Sequence, residues 1–278
     1  MFSDKGTIRH QSDFAIQNER SRLMKRSFFI AISVFWLHAV FAQQPLPKDL
    51  QPLKGEVTLA YAPKITTRCV MKNYVNKTDK DLEVRQDKPY LYSIKENETG
   101  NLFLIYGTEI GDDKILSLIF AIKKDGLGLE STPPILRSDL EIPPEQKANM
   151  PMFMSGIRKM IEDFSAVGTP VRQGSTINVN FCNGFPNLVR KVRSSEKQMS
   201  VVGTALINGA NALVMSGSAS ERCIASQGWV EFETNGWQAV SMQSGITVAS
   251  SMEWNIKAST GQTDSSVQDV ECATSNTN

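Results

Sequence analysis

Histidine is almost absent from this chain of 278 residues, and the two present, His10 and His38, stand among its first 42. That region reads as removable. Lys25 and Arg26 form a short positive start, and Phe28 to Leu37 an apolar run. Val40 and Ala42 place short side chains at the minus three and minus one positions of a cut before Gln43. Residues 24–42 thus have the layout of a secretory signal peptide. Ser27 to Ala42 is too short to span a membrane, which takes roughly 20 apolar residues, so no stable membrane span is expected after cleavage. Residues 1–23 carry mixed charge and no periodic apolar face, which makes them a mis-assigned start ahead of Met24. The mature protein, Gln43 to Asn278, then has no histidine. Ser-His-Asp and Cys-His nucleophiles are excluded, as are zinc or copper sites built on histidine.

Excess charge is also lacking. The first 42 residues hold six of the 30 Lys and Arg residues and three of the 29 acids, leaving 24 against 26 and a net charge of −2. With no basic block, nothing argues for nucleic acid as a partner. Cysteine is scarce but even in number: Cys69, Cys182, Cys223 and Cys272, with no CxxC spacing. In an exported protein this favours two disulfides. Three pairings are possible. Cys182 with Cys223 is expected because strands of one meander lie close, and closing that loop of about 40 residues is worth roughly 4 kcal/mol. Cys69 with Cys272 follows by subtraction.

What is present is mostly strand signal. ITTRCVMKNYV, PYLYSIKE, NLFLIYGTEI and KILSLIFAIKK are separated by turn residues such as NETGN and GDD, and short connections favour antiparallel pairing. NLFLIYG is apolar on both faces, with Phe103 and Ile105 opposite Leu102, Leu104 and Tyr106, so something has to cover the second face. Pro151 opens a candidate cover. Phe153, Ile157, Met160, Ile161 and Phe164 form one stripe of an amphipathic helix that stops at Gly168 and Pro170. The second half reads as a meander with Asn-Gly hairpin turns at Asn183-Gly184, Asn208-Gly209 and Asn235-Gly236. Residues 43–54 read as a Pro-rich linker, 55–258 as a single β-rich domain, and 259–278 as a polar, largely disordered tail.

GWVEFETNGWQAVSM is similar to a pattern in exported β-meander proteins of unknown function, which carry a G-x-x-x-F/Y-D-x-x-T-G-like hairpin near the carboxyl end. PVRQGSTINV resembles the strand that opens the same half. The similarity spans about 90 residues, Pro170 to Ile256, with Glu233 where an aspartate is usual. The resemblance implies the open half-barrel of the periplasmic lipoprotein carriers: a curved antiparallel sheet with a helix in its mouth. It supplies no catalytic residues. The expected fold is therefore α+β and mostly β, an open half-barrel with one amphipathic helix packed on its concave face.

Candidate chemistry is thin. Ser194 and Lys197 match S-x-x-K without the partner motifs of that class. Glu231 and Glu233 share a strand face, where solvation is the plainer reading. Asp112-Asp113 offers too few oxygens for calcium. No cofactor, metal or catalytic residue is implied. The leading expectation is a non-enzymatic, periplasmic or secreted envelope protein that binds an apolar ligand, a lipid or acylated polypeptide. The expected lining is Phe103, Ile105, Phe153, Ile157, Met160, Trp237 and Trp254, where aromatics and methionine suit an adaptable cavity. The rival is an interaction module that holds an envelope protein along an open sheet edge and takes no small molecule.

Overall fold

Alternating β-branched and aromatic side chains build one large antiparallel sheet from both halves of the sequence. The computed structural model describes residues 44–63, 65–75, 83–109, 115–138, 150–177, 181–182, 189–190, 198–225 and 228–276. All of these belong to the compact unit His38–Asn278. The expected turn at Asn183-Gly184, the pair Ser194 and Lys197, and Asp112-Asp113 lie outside them.

The first half contributes β1 (Val57–Thr58), β2 (Ile65–Val75), β3 (Glu83–Glu96), β4 (Leu102–Glu109), β5 (Ile115–Ala121) and β6 (Ile135–Ser138). Then come the helix α1 (Met150–Ser165), β7 (Pro170–Val171), β8 (Thr176–Ile177) and β9 (Val189–Arg190). The second half adds β10 (Met199–Ile207), β11 (Ala210–Ala225), β12 (Gly228–Ser241), β13 (Thr247–Ala258) and β14 (Thr263–Asn276). β1 pairs with β7. The remaining described strands form one sheet in the order β6-β5-β4-β3-β2-β14-β13-β12-β11-β10-β8, with β9 also on β11. Every pairing between named strands is antiparallel. The sheet is curved, does not close into a barrel, and carries α1 on its concave face.

The two halves meet at the seam between β2 and β14, where eleven residue pairs run from Ile65↔Asn276 to Val75↔Ser266. Cys69 and Cys272 are direct partners in that register, 4.0 Å apart at Cα, and are joined by a disulfide. This corrects the expected disordered tail: residues 263–276 are a central strand. Composition misled because β14 is mostly Ser, Thr, Asp and Gln. Its inward and outward faces nevertheless bury Ser266, Val267, Asp269, Val270 and Cys272, and both edges of the strand are hydrogen-bonded to neighbours.

The linker expected at 43–54 is corrected as well. Gln51 exchanges two backbone hydrogen bonds with Thr204, each 2.8 Å. Leu53 is buried, and Leu50 packs on the outer-face cluster of Ala205, Ala212, Val214, Trp237, Ala239, Val248 and Ala249. The stretch is an extended strap over the convex face of β10 to β13. Its prolines, Pro45, Pro47 and Pro52, are tolerated because an edge strap makes few ladder bonds.

Asn208-Gly209 makes the tight turn expected of it, with positive φ at both residues (48° and 79°) and Ile207 paired to Ala210. Asn235-Gly236 does not turn; β12 runs straight through it. Gly236 lies opposite Gly217 on β11 and Met252 on β13. A Cβ on Gly236 would collide with the Ser251 carbonyl oxygen, so glycine here serves close backbone approach within a bent sheet. The second disulfide joins Cys182 to Cys223 beneath Phe232.

The two disulfides close loops of very different length, with separations of 203 and 41 residues. Chain-entropy reasoning assigns about 5 kcal/mol to the first and about 4 to the second. Denaturant unfolding of C69S/C272S and C182S/C223S is expected to show the larger loss for the seam pair. A larger loss for the Cys182 pair would mean that the seam holds without its covalent link.

Candidate functional site

Strand register assigns every side chain of the sheet to one of two faces. Ile94, Leu104 and Phe120 form one inward row across β3, β4 and β5, and Tyr92, Tyr106 and Leu118 the next. All are buried except Tyr92, which is half-buried. The inward face continues through Cys69, Cys272, Met252, Trp254, Thr234, Phe232 and Met215, again buried. It is filled by the protein's own segments. Leu59 bridges Val167, and the Gly168 amide donates to the Leu59 carbonyl at 2.9 Å. The Tyr61 amide donates to Gly126 at 3.0 Å. Ile157 on α1 is 5% exposed, and the Arg158 guanidinium bonds the carbonyls of Glu130 and Thr132, fixing the helix to the β5–β6 connection.

Four of the five tyrosines gather under the helix. Tyr90, Tyr92 and Tyr106 have ring centroids 5.2 to 5.6 Å apart. Tyr61 joins them from the opposing segment and bonds Ser165 at the end of α1. Burial pushes the Tyr61 hydroxyl up to about 12, with the Ser165 hydrogen bond lowering it and the Glu162 charge raising it further. Burial alone takes Tyr106 to about 12. Tyr90 and Tyr92 rise well above the usual range, through burial first and then their neighbours' rings. Burial thus keeps these four hydroxyls neutral near neutral pH.

The described members of the expected lining lie on both faces of the sheet. Trp254 points inward, 5.5 Å from Phe181 between ring centroids. Trp237 is the cross-strand partner of Ser251, on the outward face, beneath Gln44 of the strap. Phe103 and Ile105 also face outward. Ile157 is buried on the inward side, while the side chains of Phe153 and Met160 lie outside the described residues. The tyrosine cluster and Phe181 are absent from the expected lining; the alternation of Tyr90, Tyr92 and Ile94 is the signal that points to the former.

Polar candidates resolve as structure. Glu231 pairs with Arg222 at 2.9 Å and Glu233 with Lys257 at 3.1 Å, each across neighbouring strands. Glu221, 5% exposed, accepts the Cys182 amide at 3.1 Å. It lies near both sulfurs of the second disulfide, but sulfurs bonded to each other are not thiolate ligands. Asn97 organises the β3–β4 turn, its Oδ1 accepting from the Thr99 and Asn101 amides.

One apolar surface has no such cover among the described residues. On the outward face Ile105, Ile119 and Ile135 form a cross-strand row over β4, β5 and β6, with Phe103 and Leu91 beside it. Four of these are half-buried, and Ile135 is 58% exposed on the edge strand. Exposed Arg68, Lys95 and Arg137 flank the row, opposite Leu91, Phe103 and Ser117 in register. No helix among the described residues is long and apolar enough to cross a membrane.

The sequence matches no known protein family and no curated protein. Among solved structures it is similar to MucB, from a crystal structure in complex with MucA(peri), at 11% identity and a TM-score of 0.24; the overlap covers 76% of this chain and 50% of that one. It is also similar to a protein from Bacteroides fragilis described as exported, with a YmcC-like fold, at 8% identity and a TM-score of 0.30, covering 81% of this chain and all of that one.

The tyrosine cluster predicts the alkaline limit of the fold. Each hydroxyl ionises at higher pH folded than unfolded, so its support is complete below about pH 10; that of Tyr61 and Tyr106 is lost as pH rises through about 12, and that of Tyr90 and Tyr92 as pH rises through their own raised values. Phenolate absorbance is expected to appear together with loss of the strand signal in circular dichroism. Four phenolates forming near pH 10 in an intact sheet would contradict the buried cluster.

Proposed function

We propose that this is an exported, non-enzymatic envelope protein that holds a partner polypeptide on the outer face of β4 to β6. One observation carries the reading: the Ile105–Ile119–Ile135 row ends on the outermost described strand, β6, with no cover among the described residues, while Tyr61, Leu59 and Ile157 are buried on the concave side. An edge strand offers unpaired backbone groups to an incoming strand, and alternate side chains of that strand then lie along the neighbouring row. The partner is a segment with apolar residues at every second position, and the exposed Arg68, Lys95 and Arg137 favour acidic residues beside them. Four cysteines spent in two disulfides support an oxidising compartment.

The apolar-ligand reading keeps one support, the aromatic interior around Phe181, Phe232 and Trp254. Native mass spectrometry of protein recovered from the envelope separates the two. A companion polypeptide supports the partner reading; a bound species of a few hundred daltons, as expected for a lipid, supports the carrier.

Replacing Ile135 by Asp is expected to weaken partner binding by about tenfold or more, as for a central contact, with little change in melting temperature because the site is exposed. Affinity measured against the co-purified polypeptide checks this. Unchanged affinity in I135D and I119D together would sink the proposal.

A further inference from the structure

Trp237, Ser251 and Asp269 are successive cross-strand partners on β12, β13 and β14, and all three bond a single residue, Gln44. The indole Nε1 donates to the Gln44 carbonyl at 2.7 Å. The Gln44 amide donates to Ser251 Oγ at 2.9 Å, and its side-chain amide donates to Asp269 Oδ2 at 3.3 Å. Backbone donor, backbone acceptor and side-chain donor are therefore all read by one row of the sheet. Ser251 is fully buried and Asp269 is 3% exposed.

Asp269 is only half satisfied. Its Oδ1 is buried and has no hydrogen-bond partner among the described residues. A buried carboxylate oxygen left bare is costly, and among the donors that could satisfy it a cation gives the strongest, charge-assisted bond. Lys72 is its cross-strand partner on β2, with its ammonium 3.3 Å from Glu271, two residues further along the same face of β14.

We propose that Trp237, Ser251 and Asp269 form a receptor for the amino terminus of the processed protein, in which Asp269 Oδ1 takes the α-ammonium created by cleavage before Gln43. The inference rests on that cut. One residue spans at most about 3.6 Å, so an ammonium on Gln43 is within reach of the row that holds Gln44. The site recognises a primary ammonium followed by a residue with a side-chain amide, a ligand that does not exist until the leader is removed. A precursor not yet cut presents a neutral peptide N–H there, with no charge to pair with Asp269.

The pairing has a chemical signature. An amino-terminal glutamine cyclises when its free amine attacks the δ-carbonyl carbon of its own side chain. A ring bond forms between that carbon and the amine nitrogen, the bond from the same carbon to the amide nitrogen breaks, and ammonia leaves with a proton from the amine. An ammonium held by Asp269 has no lone pair for that attack. The folded protein therefore keeps an uncyclised Gln43.

The test uses the protein recovered from the envelope, read by intact mass and amino-terminal sequencing, then incubated folded at mildly alkaline pH. The protein is expected to begin at Gln43 and retain its ammonia. D269N is expected to cyclise about tenfold faster or more, the scale of one lost charge-assisted bond, while K72M stays within about twofold of the original rate. Where D269N does not fold, a variant with one alanine inserted before Gln43 takes its place. It should melt several degrees lower than the native start, on the scale of one lost polar contact. Equal cyclisation rates in the original and D269N, an equal effect of K72M, or an unchanged melting temperature in the alanine variant overturns the receptor. A start at any other residue overturns it through its premise, and leaves the partner surface on β4 to β6 to stand or fall by itself.

Discussion

The pairing of β2 with β14 is the constraint on which the rest of the structure depends. Without it there are two separate sheets, β2 to β6 and β8 to β14, each with a long exposed edge. With it, eleven residue pairs and a disulfide between direct partners make one continuous surface. The inward face can then be buried from Leu118 at one side to Met199 at the other under a single set of covering segments. Strand pairing over such sequence distances carries a high loop-closure cost, and the Cys69–Cys272 bond removes much of it from the unfolded state.

Continuity also explains why the two outer faces differ. On β10 to β13 four of the outward side chains are alanines, Ala205, Ala212, Ala239 and Ala249, which leaves room for the strap from Gln44 to Leu53 to lie close beside Trp237. On β4 to β6 they are large, Phe103, Ile105, Ile119 and Ile135, and no described segment crosses them. The same sheet thus presents one face region covered by its own strap and one that no described segment covers. The concave face, by contrast, is occupied by hydroxyl-bearing rings whose neutrality is enforced by burial.

Much of the framework is legible from residue pattern. The α1 stripe, the strands ITTRCVMKNYV and NLFLIYGTE, and the Asn208-Gly209 turn declare themselves through local periodicity and turn chemistry. The failures share a cause: they are positions where tertiary contacts override composition. TDSSVQDVECATSN looks like solvent-exposed coil, yet Ser266 and Asp269 are buried on a strand whose partners on β2 lie more than 190 residues away. Gly236 looks like a turn residue until the neighbouring Ser251 carbonyl is placed against it. Ser251 itself, outward by alternation, is covered only because Gln44 returns from the start of the fold. The candidate surface is half legible. Phe103 and Ile105 stand out as a second apolar face, but strand periodicity does not reveal which of two apolar faces the helix will take. Pattern alone therefore groups them with Trp254, which lies on the opposite side.

The position of β14 has a consequence for how the molecule is born. A polypeptide emerges amino end first, so β2 to β6 and the long edge of β2 exist before the strand that covers that edge has been made. The sheet has no middle until β14, the 14-residue strand at the carboxyl end, arrives. Loss of those residues, by a nonsense codon or by proteolysis, does not trim a margin; it divides the sheet and uncovers strand edges that recruit other polypeptides. A chain that stops short of β14 therefore leaves the facing edges of β2 and β13 unpaired.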